Sequence, residues 1–192
     1  MTAVANSAFS SQAAFRAVME TFAHPGEVKT VEGISAPAPL APACAALLQS
    51  LADFETPIWL DGPLADLPAV GQWISFHTGA PRVSEPNAAA FALIADPTCL
   101  PDFDLFALGS EEYPDRSTTM IMQVERFAGQ IFTIEGPGIK TARAVSAEPL
   151  PNDFAERLAA NHALFPRGID LVLVAGEQML ALPRSIRVVN RS

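Results

Sequence analysis

Between Ala89 and Asp96 the chain reads AAFALIAD, a strand-length run with no polar residue before its closing aspartate. Side chains along a strand point alternately to the two faces of a sheet, so a strand with one wet face alternates polar and apolar residues. A run without alternation belongs in a sheet covered on both sides, and helices are the usual cover. This segment alone predicts an α/β fold.

The flanking sequence supplies the helices. Ala8, Phe9, Ala14, Phe15, Val18, Met19 and Phe22 recur at helical spacing, with Ser10 or Ser11 as the expected cap and HPG (His24 to Gly26) as the stop. Ala41 to Asp53 places a proline in the first turn of a second helix rich in alanine and leucine. Thr56 to Asp61 reads as a short buried strand, and Leu67 to Phe76 as a helix closed by the Gly79 turn. The segment from Leu100 to Ser117 predicts a helical turn followed by an irregular acidic loop, and the two β-rich runs around ERFAGQ predict a hairpin. A last helix begins at Asn152 or Asp153 and carries Phe154, Leu158, Ala159 and Leu164 on one face. IDLVLVAG and MLALPRSIRVV follow as strands around a tight GEQ turn. Alternation early and hairpins late predict a single domain over residues 1–192, with a mixed, partly antiparallel sheet covered by helices.

Composition excludes several classes of function. With 49% apolar and 17% charged residues in 192, the chain is long enough to bury a sizeable core, and part of its apolar surplus is expected at a subunit interface. A formal charge of −9 without a basic run leaves nothing to neutralise a phosphate backbone or an anionic membrane surface, so neither nucleic acid nor membrane is an expected partner. Cys44 and Cys99 have no framework spacing, and the amino-terminal residues lack the basic start and apolar core of a secretory signal. Both observations predict a cytoplasmic protein with reduced thiols.

His24, His77 and His162 are widely separated, and none stands at zinc-site spacing, so no metal is expected. HTGAP and EGPGIKT are glycine-rich enough to present backbone N–H groups to an anion, but neither is a Walker or dinucleotide motif. Turns that need glycine are the simpler reading. There is no nucleophile elbow, and the only lysines, Lys29 and Lys140, lack a recognisable pyridoxal phosphate setting. Asp115, Arg116, Ser117 and Thr118 form a dense polar group at a strand entrance, as either a binding loop or a turn. Arg82, Arg167 and Arg184 each follow a proline at a strand boundary, where a guanidinium can hold a carboxylate or phosphate bidentately. An ion pair with a nearby acid, such as Asp170 or a carboxylate of a neighbouring subunit, is the first expectation for them in so acidic a chain.

SQAAFRAVM, LADFETPIWL, FHTGAP, EGPGI, FPRGIDLVLV and ALPRSIRV, in that order along the chain, resemble the PhnH family, the H subunits of bacterial carbon-phosphorus lyase core complexes. The resemblance implies a homodimer with a three-layer α/β/α fold similar to the large domain of pyridoxal-phosphate-dependent transferases, without the cofactor. It further implies an accessory, non-catalytic role beside the G, I and J subunits in phosphonate catabolism, where ATP and methylphosphonate give ribose 1-methylphosphonate 5-triphosphate. The family pattern specifies Arg184 and leaves Arg167 loose. Ligand or interface roles are therefore expected first for Arg184 and Asp170, then for His77, Asp115 and Arg167. The alternative function is independent binding of a small anion, or an enzyme, built on Arg184 and Asp170.

Overall fold

In the computed structural model, which describes residues 2–31 and 34–191, the middle of AAFALIAD, Phe91–Ile94, forms a strand buried at every position. The described residues contribute nine strands to two sheets: β1 (Lys29–Thr30), β2 (Ile58–Leu60), β3 (Phe91–Ile94), β4 (Thr119–Gln123), β5 (Arg126–Glu135), β6 (Arg143–Glu148), β7 (Asp170–Ala175), β8 (Gln178–Leu182) and β9 (Arg187–Arg191). The main sheet has six strands in the order β1-β8-β7-β4-β3-β2. Its β2, β3, β4 and β7 run parallel, while β8 and β1 close one side antiparallel. This is the mixed sheet that the alternation predicted.

Register sorts the core into two layers. Leu60, Leu93, Ile121, Val172 and Ala181 stand side by side across five strands and face one cluster, whereas Ile94, Met122, Leu173 and Leu180 face the other. The first face is covered by α1 (Thr2–Ala23), α2 (Pro42–Leu51) and α4 (Pro68–Thr78), joined by the single-turn α3 (Gly62–Ala65). Residues Ala43 to Leu48 of α2 are all buried, because this helix lies between the sheet and its neighbours α1 and α4. Both α2 and α4 start with proline, which fits the first turn where no N–H is needed. Gly79 ends α4 in the left-handed region at φ 72°, donating its N–H to the Ser75 carbonyl.

The opposite face departs from an α/β/α sandwich. It is covered by α5 (Phe154–Ala163) together with the second sheet, β6-β5-β9, so one outer layer is half helix and half sheet. Phe132 of β5 and Phe154 of α5 join these halves edge to face at 5.8 Å and are almost wholly buried. Each ring contributes roughly 2–3 kcal/mol by burial.

Four local expectations are corrected. The runs around ERFAGQ are not a hairpin: β4 lies inside the main sheet and β5 in the second, where it pairs with β6 and β9. MLALPRSIRVV is likewise two strands, β8 and β9, one in each sheet. Helix α1 starts at Thr2, so Ser10 and Ser11 fall inside its run, although their side chains, like those of Ala8 and Phe9, lie outside the described residues. Asp153 is the cap residue of α5 by position, but its carboxylate accepts from Arg157 Nε at 2.9 Å and caps no backbone N–H. In EGPGI, Gly138 lies against the end of α1, where a Cβ would stand 2.5 Å from the Ala23 carbonyl oxygen. Close packing of backbone on backbone accounts for that glycine without an anion.

Candidate functional site

The polar residues that the sequence singles out meet where β8 leaves the main sheet. Pro183 ends the strand, and Arg184 folds back over Asp170, the first residue of β7. The Asp170 carboxylate accepts the Arg184 backbone N–H at 2.9 Å, Nε at 3.2 Å and Nη2 at 2.6 Å. Nη1 donates to the Pro114 carbonyl at 2.6 Å, and Nη2 also donates to Ser117 Oγ. His162 of α5 donates from Nδ1 to the Arg184 carbonyl at 3.2 Å. All but one of the guanidinium N–H groups are thus engaged. The arginine is an internal fastener, tying the loop before β4 and the β8–β9 corner to the start of β7. Bidentate capture of an anion by Nε and Nη2 would require displacing Asp170.

The neighbouring candidates are arranged differently. Asp115 is exposed on the single turn Pro114–Arg116, beside the carbonyl that Arg184 grips, and Arg116 stacks on Tyr113 at 4.3 Å. Arg167 is exposed, with its backbone N–H held by the Leu164 carbonyl and no side-chain bond among the described residues. The turn that carries it is set by Asn161, a buried residue whose amide exchanges two 2.9 Å hydrogen bonds with the backbone of Ile169. His77 is remote from this group in its contacts: it lies on the last turn of α4, 3.1 Å from Gln49 Nε2, with its ring 4.4 Å from that of Trp73.

At the opposite edge of the sheet, the carboxyl ends of β3, β4 and β7 border a cleft of about 620 Å³. Open α/β sheets bind ligands at this edge. Its polar lining includes Asp96, Gln123 and Glu125, with no lysine or arginine among the described residues. The Asp96 carboxyl is held below its ordinary pKa by hydrogen bonds from Thr98. Gln123 spans the cleft, accepting from Ala41 N–H at the start of α2 and donating to the Pro39 carbonyl at 3.1 Å. Carboxylates without a counter-cation make this a poor seat for a phosphate or a nucleotide.

Residues 2–189 match the family model for bacterial phosphonate metabolism protein (PhnH). The chain belongs to the PhnH family. It is 43% identical over 188 residues to the "Alpha-D-ribose 1-methylphosphonate 5-triphosphate synthase subunit PhnH" of Rhizobium meliloti (strain 1021), covering 97% of this chain and 94% of that protein. It is also 33% identical over 82 residues to the "Putative C-P lyase subunit protein HtxG" of Stutzerimonas stutzeri, covering 42% of each.

The remaining reactive groups of this PhnH-family chain are occupied or isolated. Lys29 donates to Glu27 at 2.6 Å, and Lys140 is exposed; neither lines the cleft. Cys44 is wholly buried on α2, and burial pushes its thiol pKa far up, while Cys99 is exposed. Among the described residues no three His, Cys, Asp or Glu side chains are placed to hold a metal ion, and no helix is long and apolar enough to cross a membrane. Sequence reasoning missed Gln123 and Asn161, whose roles depend on partners far along the chain or across a turn.

Proposed function

We propose that this chain is an accessory, non-catalytic subunit of a ribose 1-methylphosphonate 5-triphosphate synthase, working in phosphonate catabolism as a homodimer beside G, I and J subunits. The observation that carries this reading is 43% identity, over nearly the full length of both chains, to a protein named as that subunit. The disposition of polar groups supports it. Arg184 and Asp170 are committed to each other, and the carboxyl-edge cleft presents acids to two substrates, ATP and methylphosphonate, that are themselves anionic. The finer reading assigns the fold to the neighbourhood of the pyridoxal-phosphate-dependent transferase large domain with no cofactor, and the protein to the cytoplasm.

Reconstitution tests the role directly. Synthesis of ribose 1-methylphosphonate 5-triphosphate from ATP and methylphosphonate is measured with the G, I and J subunits, with and without this chain. Omission is expected to abolish or strongly reduce product, and unchanged synthesis defeats the reading. The isolated chain is expected to turn over neither substrate. For the small-anion alternative, phosphate is expected to leave the melting temperature of the isolated chain unchanged, because Arg184 already has its carboxylate.

A further inference from the structure

The turn HTGAPR, at the end of α4, gathers exposed aromatic side chains beside an arginine. Phe76 is 84% exposed and Phe54 is 74% exposed, and Phe54 lies against the Gly79 turn, 3.8 Å from where a Cβ on that glycine would be. The His77 ring is tilted against that of Trp73 at 4.4 Å and meets that of Phe76 edge to face at 5.0 Å. Beside them a groove of about 650 Å³ runs from Pro68 and Gly71 to Arg82. The Arg82 guanidinium lies over Gly71, so close that a Cβ there would stand 2.6 Å from Nη1. Arg82 is exposed and has no side-chain hydrogen bond or ion pair among the described residues.

Large aromatic side chains left in water beside an unpaired arginine have the composition of an interface hot spot. We infer that this face docks a segment of another subunit that presents a carboxylate to Arg82 and an apolar side chain to Phe76 and Phe54. Charge complementarity selects that occupant: among the described residues lining the groove, Arg82 is the one cation and no carboxylate accompanies it. A second copy is disfavoured for the same reason. A two-fold contact centred here brings the two Arg82 groups together and adds a second acidic chain.

The inference rests on the subunit reading, and the test separates the two. The full chain and its Phe76→Ala, Arg82→Glu and Arg82→Lys variants are titrated against the assembled G, I and J subunits, with melting temperature and oligomeric state measured on each. Phe76→Ala is expected to weaken assembly roughly tenfold or more, and Arg82→Glu further. Arg82→Lys keeps the charge without the planar fork and is expected to lose less. Melting temperatures should stay together, since both side chains are exposed. Variants that assemble like the natural chain overturn the docking site while leaving the subunit reading intact. Loss of self-association in the variants overturns it in favour of an interface between copies. Stabilisation by methylphosphonate alone, abolished by Arg82→Glu, overturns it in favour of a small-anion site. If the natural chain itself fails to assemble with those subunits, the subunit reading and this inference fall together.

Discussion

Arg82 and Arg184 follow a proline alike, and both stand where parallel strands of the main sheet begin: Arg82 pairs with Ile58, the first residue of β2, and Arg184 covers Asp170, the first of β7. Their surroundings are opposite. Arg184, with 12% of its side chain exposed, is held by a carboxylate, a carbonyl and a hydroxyl drawn from two segments. Arg82 is exposed and lies over the bare backbone of α4 at Gly71, with no side-chain hydrogen bond or ion pair among the described residues. Similar local sequence therefore makes a fastener at one corner and an unsatisfied cation at the other. The difference is whether the fold delivers an acid to the arginine.

The contrast can be broken at either corner. Asp170→Ala strips Arg184 of its carboxylate and leaves a largely buried charge unpaired; it is expected to cost about 3 kcal/mol in urea unfolding, toward the low end for such pairs because both partners keep some solvent. A cost below about 1 kcal/mol would show that Arg184 is not a fastener. Arg184→Lys retains the charge but gives up the fork that reaches Asp170, Pro114 and Ser117 at once, with an expected cost of roughly 1–2 kcal/mol by the same measurement. Gly71→Ala sharpens the other corner. The new methyl group must push the flexible end of Arg82 aside, so the usual gain of about 0.5–1 kcal/mol for replacing a helical glycine should survive in thermal unfolding, while docking at this face is perturbed. Arg82→Ala is expected to change stability by less than about 0.5 kcal/mol. A larger loss would mean that Arg82 serves the fold after all.

Legibility in the sequence followed burial pattern. The main-sheet strands β3 and β7 were readable because continuous apolar runs admit one environment, and α4 because proline and glycine mark its two ends. The hairpin expectation around ERFAGQ failed although a signal against it was present. MIM of β4 is an unbroken, fully buried apolar run, whereas burial along IFTIE at the end of β5 alternates. Strands joined as a hairpin share the two faces of one sheet, so such different patterns point to different sheets. Proline marked all three Pro-Arg corners but not their fates. Asp170 was within reach of inference as a partner because it lies near Arg184 in sequence, while Ser117 and the Pro114 carbonyl arrive from far along the chain.

The sequence by itself determined the fold class, the family and turns such as those at Pro25-Gly26 and Gly79, since periodicity, ring geometry and positive φ act over a few residues. Only the tertiary structure decided that a second small sheet replaces part of an outer helical layer, and which arginine is satisfied. Both depend on contacts between distant segments. The same Pro-Arg pair can be stable either way, and the partner that packing brings within about 3 Å decides which.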